Sequence, residues 1–106
     1  MTPERFVAAC ATDGIEREDV VRFDHDGRVY AIYRSPDDTY HATDGLCTHG
    51  RTCLADGLVL GHLIECPKHN GRFDYRTGEP VRIPATVALR TYPVRIADGI
   101  VEIGLP

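Results

Sequence analysis

Cys47-Thr48-His49 and, beyond the 16 residues from Gly50 to Glu65, Cys66-Pro67-Lys68-His69 are the two stretches on which the reading of this sequence turns. Thiols and imidazoles paired twice at short range form a ligand set for a transition metal, not for calcium or magnesium. Two shells are compatible with it: one tetrahedral zinc held by all four side chains, or a pair of irons, one held by the cysteines and the other by the histidines. Spacing favours the pair. Zinc sites usually leave about two to four residues between neighbouring ligands so that both reach one ion, whereas C-x-H leaves one and projects its ligands toward separate positions.

The surrounding segment looks like loops in need of an organiser. From Asp44 to Pro84, glycines at 45, 50, 57, 61, 71 and 78 and prolines at 67, 80 and 84 leave only short apolar runs such as Leu58 to Leu60 and Leu63 to Glu65. A stretch this irregular is uncommon inside a compact domain unless something pins it. Outside it, turn signals recur about every 8 to 12 residues between β-branched and aromatic runs, the pattern of short antiparallel strands. Val20 to Asp24 and Arg28 to Tyr33 flank His25-Asp26-Gly27, where glycine accepts the positive φ of a tight turn. Thr91 to Ile96 and Ile100 to Ile103 flank Ala97-Asp98-Gly99 in the same way.

A chain of 106 residues, 42 % apolar and 26 % charged, fits a single domain over 1–106. It has no apolar run near the roughly 20 residues needed to cross a bilayer. Its first residues also lack a basic region followed by an apolar segment, so the expectation is a cytoplasmic protein with no membrane partner. With 12 basic and 16 acidic residues, and Lys68 as the only lysine, the surface is not built to neutralise phosphates, which excludes nucleic acid. Nothing in the sequence calls for an oligomer, and a monomer is expected. In a reducing compartment four cysteines point to metal ligation before disulfides. Cys10 and Cys53 lie outside the motif and are expected to be buried small apolar residues. His25, in a hairpin turn, and His41 and His62, in strands, are expected to be surface or satisfied core residues.

Past the ligands the residues carry a family resemblance. Cys47-Thr48-His49-Gly50 and Cys66-Pro67-Lys68-His69-Asn70-Gly71-Arg72-Phe73-Asp74 resemble the two signature loops of Rieske-type ferredoxins. Thr77-Gly78-Glu79 is similar to the turn that follows, Ile83-Pro84-Ala85 to the proline loop over the cluster, and Thr91-Tyr92-Pro93-Val94 to the closing strand. The resemblance implies an all-β Rieske fold, an antiparallel sandwich or barrel with a loop-rich cluster-binding subdomain over about 44–84. It also implies one [2Fe–2S] cluster, with Cys47 and Cys66 on the inner iron and His49 and His69 on the outer. Two neutral imidazoles in place of two thiolates leave the oxidised unit near zero charge, so it accepts an electron more readily than an all-cysteine cluster. High-potential relatives carry an extra disulfide and two hydroxyl donors. The matching positions here are Thr52, Lys68, Gly71 and Phe73, which implies a potential near the low end of the Rieske range, about −150 mV.

The implied role is that of a non-enzymatic one-electron carrier. It takes electrons from an NAD(P)H-dependent flavin ferredoxin reductase and passes them to the terminal oxygenase of an aromatic ring-hydroxylating system. A catalytic oxygenase subunit is excluded by length, since it needs a further large domain with a mononuclear iron. The alternatives are the small Rieske-like subunit of an assimilatory nitrite reductase and a zinc-stabilised interaction module. Metal analysis separates the last of these: anaerobically purified protein is expected to hold about two irons and two acid-labile sulfides per chain and no zinc.

Overall fold

The computed structural model describes residues 5–106; residues 1–4, on which part of the N-terminal reading rested, lie outside the described residues. Eleven strands make up the described chain: β1 (Arg5–Ala11), β2 (Asp19–His25), β3 (Arg28–Arg34), β4 (Tyr40–Asp44), β5 (Leu58–Leu60), β6 (Leu63–Glu65), β7 (Arg72–Asp74), β8 (Pro80–Arg82), β9 (Thr91–Tyr92), β10 (Val94–Ala97) and β11 (Ile100–Leu105). They pair antiparallel in three sheets, ordered β1-β11-β10, β2-β3-β4-β9 and β5-β6-β7-β8. The only helical turns among the described residues are single 3-10 turns at Thr12–Gly14 and Leu54–Asp56, and no helix is long and apolar enough to cross a membrane. The all-β expectation is met.

Local chemistry sets the two hairpins. Asp26 and Gly27 both have positive φ, 50° and 76°, and join β2 to β3 as a two-residue turn whose twist suits paired strands. His25 therefore closes β2, opposite Arg28, and is not in the turn as the sequence suggested. Asp98 and Gly99 repeat the device between β10 and β11, at φ 52° and 74°.

The strand expected over Thr91 to Ile96 divides at Pro93, which has no N–H to offer a ladder. Before it, Tyr92 pairs with Ala42 in the second sheet; after it, Val94 pairs with Ile103 in the first. Pro93 keeps its carbonyl in use, accepting from the Gly104 N–H at 2.8 Å. One sequence run thus changes sheets and forms a corner of the body.

The third sheet corrects the loop-rich reading of the middle segment. Its strands are three residues each, too short to stand out among the glycines, yet Leu58–Leu60 and Leu63–Glu65 are β5 and β6, and β7 and β8 extend them. The sheet is held to the body through β3, whose Tyr30, Ala31, Ile32 and Tyr33 are all buried. With a period of two, Tyr30 and Ile32 enter one core with Val101, Ile103 and Leu105, while Ala31 and Tyr33 enter a second with Ile64, Phe73, Tyr75, Cys47 and Cys66. Full burial of a side chain like Phe73 stabilises by about 1.5–3 kcal/mol. Tyr33 and Tyr75 stack across this second core, ring centroids 4.5 Å apart and 3° from parallel, and the Tyr33 hydroxyl shares a 2.8 Å hydrogen bond with that of Thr43.

Gly78, in the turn after β7, has φ 83°, and a Cβ there would lie 2.1 Å from the Leu89 carbonyl oxygen. Gly99 has a similar φ but open space around it. Gly78→Ala is expected to cost about 2–4 kcal/mol and Gly99→Ala about 1 kcal/mol, read from thermal unfolding of the loaded protein.

Candidate metal centre

The β5-to-β8 meander has two ends. Its β6–β7 connection, residues 66–71, lies at one of them, joined there by the segment entering β5 and the segment leaving β8. The entering loop and the β6–β7 loop share one construction. Cys47 N–H donates to the Thr52 carbonyl at 2.8 Å, and Cys66 N–H to the Gly71 carbonyl at 2.8 Å, so each loop is closed at its base by a bond spanning five residues. Both cysteines are buried, at 2 % and 1 % exposure, while His49 and His69 are exposed. Inside the first loop the Arg51 N–H returns to the Cys47 carbonyl at 2.7 Å, and in the second His69 and Asn70 adopt left-handed backbone, φ 67° and 61°. The proline loop, with a cis Ile83–Pro84 bond, covers the pair: Ala85 packs on Gly71, and the Thr48 hydroxyl donates to the Val87 carbonyl at 2.7 Å.

The four residues singled out in the sequence therefore meet at one end of the molecule as two pairs. The cysteine side chains lie together inside, buried in the same core. The imidazole rings stand outside, centroids 5.6 Å apart and 74° from parallel. Burial, the dominant effect, pushes the Cys66 thiol up, and Cys47 beside it adds to this; the Lys68 backbone N–H and the Thr52 hydroxyl pull the other way by donating to its sulfur. The raised Cys66 thiol beside a second buried thiol, with donors aimed at its sulfur, forms a site that a multivalent cation stabilises by taking the place of a proton. Among the described residues no three of His, Cys, Asp and Glu converge on a position for one ion. An inner thiol pair and an outer imidazole pair fit a two-iron group better than a single tetrahedral zinc.

Other sequence expectations are met in part. None of the four cysteines is in a disulfide, but Cys10 and Cys53 are only half-buried. Cys10 follows a register shift in β1, and Cys53 lies at the loop base with Arg22 Nη1 at 3.9 Å from its sulfur. His62 is in the β5–β6 turn and not in a strand, because Gly61 takes φ 62° and reverses the chain there. It faces Asp37 at 3.3 Å, while His41 meets the Thr39 hydroxyl at 2.8 Å and His25 stacks on Phe23, so all three have local partners. Asp37 is pushed down to about 2, chiefly by the Ser35 hydroxyl and then by His62.

Sequence reasoning passed over two supports of the centre. Glu65 accepts from Arg72 Nε at 2.8 Å, with Arg82 at 3.9 Å, and braces the strands that carry Cys66; its position immediately before the cysteine was the available signal. Thr52 stands out in the sequence only as a residue unable to form a disulfide, yet its hydroxyl acts on the Cys66 sulfur and lowers that thiol.

The Rieske [2Fe-2S] domain family matches residues 5–93, and the chain belongs to that family, whose cofactor is a [2Fe–2S] cluster. Within it the resemblance is to a particular kind of component. A Ralstonia sp. ferredoxin component of naphthalene 1,2-dioxygenase/salicylate 5-hydroxylase systems is 45 % identical over 92 % of this chain and 92 % of its own. The Sphingomonas yanoikuyae B1 ferredoxin superposes with a TM-score of 0.90 at 36 % identity, covering 96 % of this chain and 100 % of its own. A chain from the complex of reduced oxygenase and oxidized ferredoxin in carbazole 1,9a-dioxygenase does so with a TM-score of 0.88 at 34 % identity, covering 93 % of this chain and 92 % of its own.

A donor to a cysteine sulfur favours the more negative, reduced state. Thr52→Val, which keeps the shape and removes the hydroxyl, is expected to lower the reduction potential by about 40 mV, the one-electron equivalent of a hydrogen bond worth about 1 kcal/mol. Spectroelectrochemical titration beside the wild type measures it.

Proposed function

We propose that this protein is a one-electron carrier. In this reading Cys47 and Cys66 hold the inner iron and His49 and His69 the outer iron of one [2Fe–2S] cluster. Electrons arrive from an NAD(P)H-dependent flavin reductase and leave to the terminal oxygenase of a ring-hydroxylating system. The observation that carries the reading is the burial contrast: of the four donors only the imidazoles reach the surface, so the exposed rings form the short route in and out. When bound, the cluster supplies reversible storage of one electron, with all its protein positions filled and none left open for a substrate.

The chain's own residues do the rest. Phe73, Tyr75, Leu54 and Ala85 keep water from the cysteine side. Around the exposed imidazoles, Ile83 at 78 % and Val87 at 62 % exposure offer apolar contact, and Arg51 and Lys68 offer charge. A small patch of this kind suits a shuttle, which must release one partner to reach the next. We read the chain as a single-domain, cytoplasmic monomer. A nitrite reductase subunit is the weaker alternative, since the relatives above 30 % identity described here are named as ferredoxins or ferredoxin components.

Dithionite-reduced protein is expected to give an EPR signal with average g below about 2, as the coupled ferric and ferrous irons of a reduced [2Fe–2S] cluster produce. Added to the naphthalene 1,2-dioxygenase reductase and oxygenase without their own ferredoxin, it is expected to restore NAD(P)H-dependent hydroxylation, measured as product formed. No product with the EPR signal intact would count against the role; His69→Ala is expected to abolish both.

A further inference from the structure

The cluster end of the molecule carries the opposite charge to the rest. Residues 45–90, the whole segment between β4 and β9, hold six basic and four acidic side chains, while the remainder of the chain holds six basic and twelve acidic. Within the segment two of the carboxylates are spent locally: Glu65 on Arg72 and Arg82, Asp74 on Arg76 at 2.8 Å. Arg51 and Lys68 are left pointing outward beside the imidazoles, with no ion-pair or hydrogen-bond partner for either side chain among the described residues. The overall charge of −4 thus belongs to the body, and steering of an acidic carrier toward a basic partner does not describe this end.

Arg51, from the first cysteine loop, and Arg28, from the end of the β2–β3 turn, both line a cleft of about 470 Å³. Leu46, Cys47, Thr48 and Val87 line it with them. Asp44 is the one acid in the cleft, and it is engaged: the Tyr92 hydroxyl donates to it at 2.5 Å and Arg28 Nη2 lies at 3.5 Å. The Arg51 backbone has φ 55°, a conformation disfavoured for any residue with a Cβ, and its N–H is tied to the Cys47 carbonyl, so the point where its side chain leaves the loop is fixed. Two guanidinium groups lining one partly enclosed space, Arg51 with no ion-pair partner among the described residues and Arg28 held only at 3.5 Å by an Asp44 that Tyr92 also occupies, match a carboxylate that a guanidinium can grip through paired N–H donors.

We propose that this cleft seats a carboxylate side chain of the terminal oxygenase, which presents an acidic docking face to the basic end of an otherwise acidic carrier. The proposal rests on the electron-carrier reading and adds the chemistry of its partner. An acidic face repels the body and attracts the tip, so the molecule is turned cluster-first during approach. Because the cleft touches Cys47, a side chain seated in it also sets the partner beside the donor set.

Arg51→Gly tests this without a folding penalty, since glycine accepts the local backbone and only the cation is lost. In stopped-flow oxidation of the reduced protein by the oxygenase component of the naphthalene 1,2-dioxygenase system, Arg51→Gly is expected to lower the second-order rate constant about tenfold at low ionic strength. Arg51→Lys and, on the far sheet, Arg95→Gln are each expected to stay within about twofold, and the differences to shrink as salt is added. A fluorescent hexa-aspartate peptide is expected to bind wild type and Arg51→Lys and to lose affinity for Arg51→Gly by anisotropy. Equal rates and equal peptide binding for wild type and Arg51→Gly would remove the seat alone. Failure of wild type to reduce the oxygenase, its visible spectrum intact, would remove the carrier reading and the seat's occupant with it.

Discussion

Two five-residue backbone bridges, from Cys47 N–H to the Thr52 carbonyl and from Cys66 N–H to the Gly71 carbonyl, set the geometry on which the rest of the molecule depends. Each closes a loop so that its cysteine turns inward at the start and its histidine stays outside. The bridges are backbone bonds, so they leave the side chains free to be chosen for chemistry. They hold only if the loop bases are held, and the third sheet does this: Glu65 faces Arg72 in the β6–β7 ladder directly below the second loop, and the Leu46–Cys53 bridge lies below the first.

That sheet would be a poor scaffold alone. Three-residue strands bury little, and a small sheet needs packing on one face to persist. The packing comes from β3, which serves two cores by presenting alternate residues to each. The cysteines sit in the core that Tyr33, Tyr75 and Phe73 fill, where a lone ionised thiolate is costly and a neutral assembly is not. The near-zero charge expected of an oxidised unit with two imidazoles suits such a place better than a doubly negative all-cysteine cluster would.

Charge is distributed with the same division of labour. The body carries the excess of carboxylates, many paired across exposed hairpins, such as Arg34 with Asp38 at 2.6 Å and Arg95 with Glu102 at 2.6 Å. Exposed pairs of this sort contribute little to stability, because water already screens them. Their consequence lies in the field they set up around an oppositely charged tip, which acts on orientation during approach and hardly at all on folding.

The sequence by itself picked out the candidate donor set, since C-x-H and C-x-x-H with their flanking residues restrict the chemistry before any contact is known. It also determined the two hairpins, because Asp-Gly between alternating strands is a local, short-range signal. Tertiary structure alone decided what depends on partners distant in sequence. The division at Pro93 between two sheets, the meander hidden among glycines, the hydroxyl of Thr52 at a cysteine 14 residues on and the cleft between Arg28 and Arg51 all arise from segments brought together by the shared strand β3 and the ladder around it. Local pattern encodes which way a side chain alternates; which distant group it then meets is fixed only when the cores close.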